Sequence, residues 1–373
     1  MQRNNLERII ELRHFLHRRA ELSLHEAETG RILQDFLRRN TSLEIVQRDG
    51  WFYAVKQGAR SAEAVAFRAD MDALPIEEGI GLPYASEHPG VSHKCGHDGH
   101  CAALCGLALE LEHTETDRPV YLIFQKAEEI GAGGAEAAEL IGEMGIREVY
   151  AFHSLSGYPE GSVIYRRGLT QPASEGMKIL FYGKQSHAAA PEDGINPAEV
   201  IAETVLHIRD LLSKEHRGMV LCTIAGMEAG SGDFGISAGD GSISVTLRAS
   251  EEAELLEMED DIRTFALEHA SVKGIRTEVQ ISDRFPETRN SDFGIDRVLA
   301  SASRLGAPCL SMEQMWRASE DFGHYLKKGE GAMFYIGNGE KWPALHTAEY
   351  DFNDRILERV VDLFVIMAGR SLI

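Results

Sequence analysis

The sequence predicts an α/β fold in which a mostly parallel sheet is flanked by helices and interrupted by a smaller inserted α+β domain. Three observations carry this. Short apolar runs alternate with helical patterns through the first half of the chain. Near Pro172 the order changes to β-α-β-β-α-β, and after Pro286 the α/β rhythm returns. At 373 residues the chain is also too long for one hydrophobic core of ordinary size, so two domains are expected.

Composition narrows the function classes. With 43% hydrophobic and 26% charged residues the chain is globular, not disordered, collagen-like or a coiled coil. Its net charge of −21 repels phosphate backbones and anionic lipid, which argues against nucleic-acid and membrane partners. Five cysteines, an odd number, do not form a disulfide framework.

The elements follow in order. At the N-terminus, Leu6, Ile9, Ile10, Leu12 and Leu16 lie among interleaved charges, the pattern of an amphipathic helix and not of a signal peptide. No run approaches eighteen apolar residues, so no membrane span is expected and a reducing cytoplasm is the expected location. AVAFRAD (64–70), VYLIFQ (120–125) and EVYAF (148–152) read as buried strands, with a helix over CAALCGLALELEH (101–113) between the first two. Asp98 is the expected N-cap of that helix. In the inserted part, strands are expected at 177–185, 219–225, 242–250 and 276–282. Helices are expected at 196–214, with Pro197 in its first turn, and at 251–270. The order is that of a ferredoxin-like unit. A strand at AMFYIG (332–337) and an amphipathic helix from about Asp354 close the chain. The expected catalytic domain is thus 1–171 with 286–373, and the insert is 172–285.

The polar clusters concentrate where a parallel sheet binds ligands, at the carboxyl ends of its strands. His93-Lys94-Cys95-Gly96-His97-Asp98-Gly99-His100 packs three histidines and a cysteine into eight residues, more than a helix cap requires. Cys95 and His97 can turn a thiolate and an imidazole toward one metal ion. Glu128 and Glu129 follow the 120–125 strand, and neighbouring side chains on an extended segment point different ways. One can therefore bind a cation while the other acts as general base. Asp70, His153 and His346 also lie just beyond expected strands. Cys95, His97, Glu129, His153 and His346 are five donors, too many for one tetrahedral zinc and suited to two ions sharing a bridge. Glu128 would take a proton from the activated water and pass it to the leaving amine, with no covalent intermediate. Competing chemistries lack support. There is no Gly-x-Ser-x-Gly elbow, and the glycine-rich stretches at 131–134 and 229–235 match neither a phosphate-binding nor a dinucleotide-binding loop. A metal-bound Cys95 is not free to act as a nucleophile.

At these residues the sequence resembles the M20 metallopeptidase family, in particular its amidohydrolase branch of N-acyl-amino-acid, hippurate and auxin-conjugate hydrolases. The resemblance runs through HRRAELSLHE (17–26), FRADMDALPI (67–76), HKCGHDGH (93–100), QKAEEIGAGGA (125–135), AFHS (151–154), GKQSHAAAPEDGINPA (183–198), ASEDFG (318–323) and LHTAEYDFND (345–354). It implies Cys95 as the bridge between two divalent ions, with His97, Glu129, His153 and His346 completing their shells and Glu128 as the base. Zn is favoured by thiolate and imidazole; Mn, Co and Ni remain open. The resemblance also implies that His187 binds substrate or the developing oxyanion, that Arg248 meets the substrate carboxylate, and that Asp70 orients the ligands. A small N-acylated amino acid or a dipeptide is the implied substrate, and a homodimer through the insert the implied assembly. A relative that keeps the fold and binds small molecules without catalysis is the alternative of another class. Two departures stand out: Lys126 replaces the proline of the usual Gln-Pro-Ala-Glu-Glu, and FGISAGDG (234–241) replaces an Asn-x-Ile-Pro stretch.

Overall fold

A computed structural model describes residues 1–59 and 63–369, which divide into two compact units. One comprises 1–170, 288–316 and 320–373; the other comprises 171–287 together with 317–319.

The first unit is built on an eight-stranded sheet. From edge to edge its strands are Glu44–Gln47, Phe52–Lys56, Val120–Gln125, Ala64–Asp70, Ile146–Ser156, Glu330–Gly339, Val163–Tyr165 and Cys309–Ser311. The four central strands are mutually parallel, and antiparallel pairings begin toward both edges. Every residue of Ala64–Asp70 is buried, because both faces of the sheet are covered. Val65, Phe67 and Ala69 meet helices Arg3–Arg18, Ala27–Asn40, His97–Leu111, Asp292–Arg304 and Leu357–Ala368 on one face. Ala64 and Ala66 meet a smaller apolar layer with Leu140, Ile141, Phe322 and Tyr325 on the other.

Helix His97–Leu111 is the central one, buried on all sides except at Glu110. Its small residues make that possible: a Cβ on Gly99 would fall 2.3 Å from the Phe352 ring. The helix starts earlier than the sequence suggests. Gly96, with φ +95°, is the N-cap, and Asp98 lies inside the first turn. Asp98 is not free to cap because it is buried in a charge network, accepting from Arg13 Nη1 at 3.3 Å and from His17 Nδ1 at 2.8 Å. The crowding of three cysteines also resolves: Cys101 and Cys105 are core side chains of this helix, and only Cys95 precedes it.

His17 makes the network pH-sensitive. Its other nitrogen, Nε2, lies 2.9 Å from Glu78 Oε2, so both ring nitrogens donate to carboxylates and the ring is charged. Burial opposes that charge, but the bonds to Asp98 and Glu78 outweigh it and raise the pKa to about 9. Against about 6.5 in an unfolded chain, this corresponds to roughly 3 kcal/mol. Because the folded value is the higher, the stabilisation is full below about pH 6.5 and is lost as pH rises through 9. Urea unfolding of His17→Gln should therefore show a deficit of roughly 3 kcal/mol at pH 6 that closes above pH 9. A deficit constant with pH would mean that the ring is neutral.

The second unit is a four-stranded antiparallel sheet in the order Arg276–Phe285, Ala173–Tyr182, Asp240–Ala249, Val220–Ala229. Helices Ala198–Leu212 and Glu252–Val272 cover one face, against Met177, Ile179, Phe181, Ile243 and Val245. Chain order and strand order are those of a ferredoxin-like unit. Among the described residues no helix is long and apolar enough to cross a membrane.

Candidate metal centre

The centre is assembled at the carboxyl ends of the central strands of the first unit. Parallel register sets Asp70 opposite Gln125 and Tyr335 beside His153, so that the carboxyl ends of all four central strands lie on one side. His153 lies within its strand, which runs on to Ser156. Gly96 supplies the tight entry into the helix, where a Cβ would meet Tyr350 Oη at 2.8 Å and Ser154 Oγ at 3.0 Å. That turn places Cys95 ahead of the helix and His97 at its first residue.

Two groups of donors share Cys95. With His97 and His153 it forms one set of atoms mutually within 4.8 Å, and with Glu129 and His346 it forms another. Cys95 Sγ lies 3.2 Å from His153 Nε2 and 3.3 Å from His346 Nε2. His97, Glu128 and Glu129 form a third such group.

The imidazoles are held in the tautomer a metal needs. His97 Nδ1 donates to the Asp72 carbonyl at 2.9 Å, and His153 Nδ1 donates to the Ser154 carbonyl at 2.7 Å. Each Nε2 is therefore the nitrogen left to face the cluster. His100 is different: Nδ1 donates to Asp70 Oδ1 at 2.8 Å and Nε2 accepts from Ser154 N at 3.3 Å, so neither nitrogen is free for a metal.

The electrostatics call for cations. His97 Nε2 and Glu129 Oε1 lie 3.6 Å apart, both buried and without a hydrogen-bond partner. Burial, followed by the charges of Glu129 and Glu128, pushes the Cys95 thiol well above its ordinary range. Burial raises Glu129 to about 7, and burial with Glu320 and Glu129 raises Glu128 far above the carboxylate range. Burial alone would lower His97, but Asp70, Asp72 and Glu129 lift it to about 10. A buried thiol, three imidazoles and several carboxylates with orphaned atoms form a donor set that fits divalent ions.

Glu128 and Glu129 do not lie on an extended segment. They sit in a turn entered through Ala127, whose φ is +52°, with Gly131 N donating to Glu128 O at 2.8 Å. Asp72 Oδ2 accepts from Glu129 N at 2.9 Å. Beneath Glu128 lie Glu320 and Asp321, with oxygens of all three mutually within 4.8 Å. Arg68 holds this region together. It donates to Asp70 Oδ2 at 2.9 Å, Asp321 Oδ1 at 2.6 Å and Gln125 Oε1 at 3.0 Å, and its Nη2 lies 3.2 Å from Glu320 Oε1.

The structure thus brings Cys95, His97, Glu128, Glu129, His153, His346 and Asp70 together. Asp70 Oδ2 lies 3.5 Å from His97 Nε2, on the donor side of the ring, while Asp72 backs the ring from behind. Asp72, Arg68, Glu320 and Asp321 escaped the sequence reading. Asp72 was accessible from the Asp-Met-Asp repeat at the end of the strand, a second acid two residues from the one singled out. Lys126 turns away from the carboxylates, donating to the Asp49 carbonyl and pairing with Glu136 at 3.0 Å.

His187 and Arg248 belong to the second unit. His187 is exposed, pairs with Ile236 across an isolated bridge, and accepts from Ala189 N at 3.0 Å. The unusual 234–241 stretch therefore lies directly alongside it. Arg248 Nη1 donates to the Arg317 carbonyl at 2.9 Å and to Ser319 Oγ at 3.0 Å.

Comparison with known proteins decides the family. The model of Peptidase family M20/M25/M40 matches residues 66–370. The chain belongs to this family. An N-acetyldiaminopimelate deacetylase of Exiguobacterium sibiricum is 29% identical over 366 residues, covering 96% of this chain and 98% of that protein. Thermostable carboxypeptidase 1 of Saccharolobus solfataricus is 31% identical over 339 residues, covering 88% of this chain and 85% of that one. A crystal structure of a putative aminohydrolase from methicillin-resistant Staphylococcus aureus superposes with a TM-score of 0.87 at 25% identity, covering 98% and 97% of the two chains. As an M20/M25/M40 member the chain is a metal-dependent amide or peptide hydrolase, and the family and the donor groups together support divalent metal ions.

Proposed function

We propose that this chain hydrolyses the amide bond of N-acyl amino acids, with Glu128 as general base and two divalent cations, Zn or Mn, held by Cys95, His97, Glu129, His153 and His346. The observation that carries this reading is the pair of donor groups sharing Cys95, with the Glu128 carboxylate beside them. The full-length likeness to an N-acetyldiaminopimelate deacetylase supports the substrate class.

Bound cations would polarise the scissile carbonyl and acidify the attacking water. The rest is done by side chains. His97 and His153 keep Nε2 available because their Nδ1 protons are committed to backbone carbonyls. Glu128, whose carboxylate lies beside the His97 and Glu129 donor atoms, is placed to take the water proton and return it to the leaving nitrogen. In this reading His187 and Arg248 bind substrate, so their alanine variants should raise KM more than they lower kcat.

A peptide substrate is the second reading, favoured by the 31% identity to a carboxypeptidase. A panel of N-acetyl and N-benzoyl amino acids and of dipeptides, assayed on Mn- and Zn-loaded protein, separates the two. The acyl amino acids should be turned over fastest, and chelation should abolish activity. Faster dipeptide cleavage would install the second reading, and no turnover with either metal would leave a binding protein.

A further inference from the structure

Residues 21–29 are fastened to the loops of the metal centre by bonds that the proposed reaction does not use. Ala73 N donates to Glu21 O at 2.8 Å, and Ser23 Oγ donates to Asp72 Oδ2 at 2.7 Å. Glu21 in turn accepts from Thr29 N at 2.8 Å and from Thr29 Oγ1 at 3.0 Å. The innermost contact is made by Glu26, whose side chain is buried and whose Oε1 accepts from Ala127 N at 2.7 Å.

Ala127 makes this contact matter. It is fully buried and left-handed, with φ +52°, a conformation that strains an alanine. The torsion of residue 127 sets the direction in which the chain delivers Glu128. Further along, Asp72 Oδ2 grips Glu129 N at 2.9 Å, and Ala132 N donates to Ala127 O at 3.0 Å. The turn is thus held on both sides of Glu128. A hydrogen bond to a carboxylate is among the stronger ones available to a peptide N–H, strong enough to offset the strain. Burial, followed by the nearby Asp72, raises Glu26 to about 7, which marks a carboxyl group kept in place against a desolvation cost.

We propose that Glu26 is a positioning residue for Glu128: by accepting the Ala127 N–H it holds the left-handed turn that aims the Glu128 carboxylate. This rests on Glu128 being the base of the proposed reaction. Glu26 touches no reacting atom; it acts through the backbone.

Three variants test it. Glu26→Ala removes the acceptor, Glu26→Asp keeps the charge but withdraws it by one methylene, and Glu26→Gln keeps an oxygen in place without the charge. Misaiming a catalytic group by about 1 Å costs on the order of 100-fold, so kcat in Glu26→Ala and Glu26→Asp should fall at least about tenfold. KM and bound metal should stay within about twofold of native, and Glu26→Gln should recover most of kcat. Hydrogen exchange at the Ala127 amide supplies a readout without substrate: slow in the native protein and in Glu26→Gln, at least about tenfold faster in the other two. Unchanged kcat, a loss of metal in step with kcat, failure of Glu26→Gln to rescue, or unchanged exchange in Glu26→Asp would each overturn the proposal. If the native protein turned over none of the panel, the substrate reading would fall while the exchange result still decided the role of Glu26.

Discussion

Glu128→Ala should lower kcat at least about 100-fold while the protein still binds its full complement of metal. The two effects separate because both donor groups that share Cys95 are complete without Glu128. Its carboxylate oxygen lies within 4.8 Å of donor atoms of His97 and Glu129, close enough to exchange a proton with a water held there. Glu128→Gln, which keeps the shape and removes the basicity, should be nearly as slow. The measurements are steady-state kinetics and elemental analysis of the same purified samples. Activity within a few-fold of native would remove Glu128 from the mechanism, whereas joint loss of metal and activity would make it a ligand.

Arg68→Leu should produce the largest loss of stability, roughly 3–5 kcal/mol in urea unfolding, because breaking a buried ion network leaves uncompensated charge. Arg68 is buried and meets Asp70, Glu320 and Asp321 together. The sign of the pH dependence follows. Even beside the guanidinium, burial holds Asp321 near 7. Without Arg68 these acids would take up protons on folding, so the deficit should shrink from pH 8 to pH 5 as they become neutral. Arg68→Lys, which keeps the charge but loses the planar fork, should recover only part of the stability. A deficit below about 1 kcal/mol, or one independent of pH, would show that the network contributes little.

The parts of this molecule legible in the sequence are those written in local pattern. The largely apolar run of 64–70 announced a buried strand, and the structure shows one covered on both faces. Cys95 and His97 stood out as a local cysteine–histidine cluster, and Glu129, His153 and His346 could be added because each lies near the end of a strand of a parallel sheet, where topology brings such positions together. The missing parts depend on three-dimensional partners. Asp98 looked like a cap because its buried partners, Arg13 and His17, lie some eighty residues earlier. Arg68 drew no attention in the sequence, and only the return of the chain at Glu320 and Asp321 shows what it neutralises. The Glu128–Glu129 turn was taken as extended because a left-handed alanine leaves no compositional trace.

The pairing of Tyr335 with His153 has a consequence for biosynthesis. The 171–287 unit is contiguous apart from three residues, so most of its contacts can form while the chain is still emerging from the ribosome. The metal-holding unit is not: its central sheet lacks a strand until Glu330–Gly339 has been made, and His346 arrives later still. Until then the half-built sheet presents an open, apolar edge, and a ribosome stalled before this point would release a product prone to aggregate.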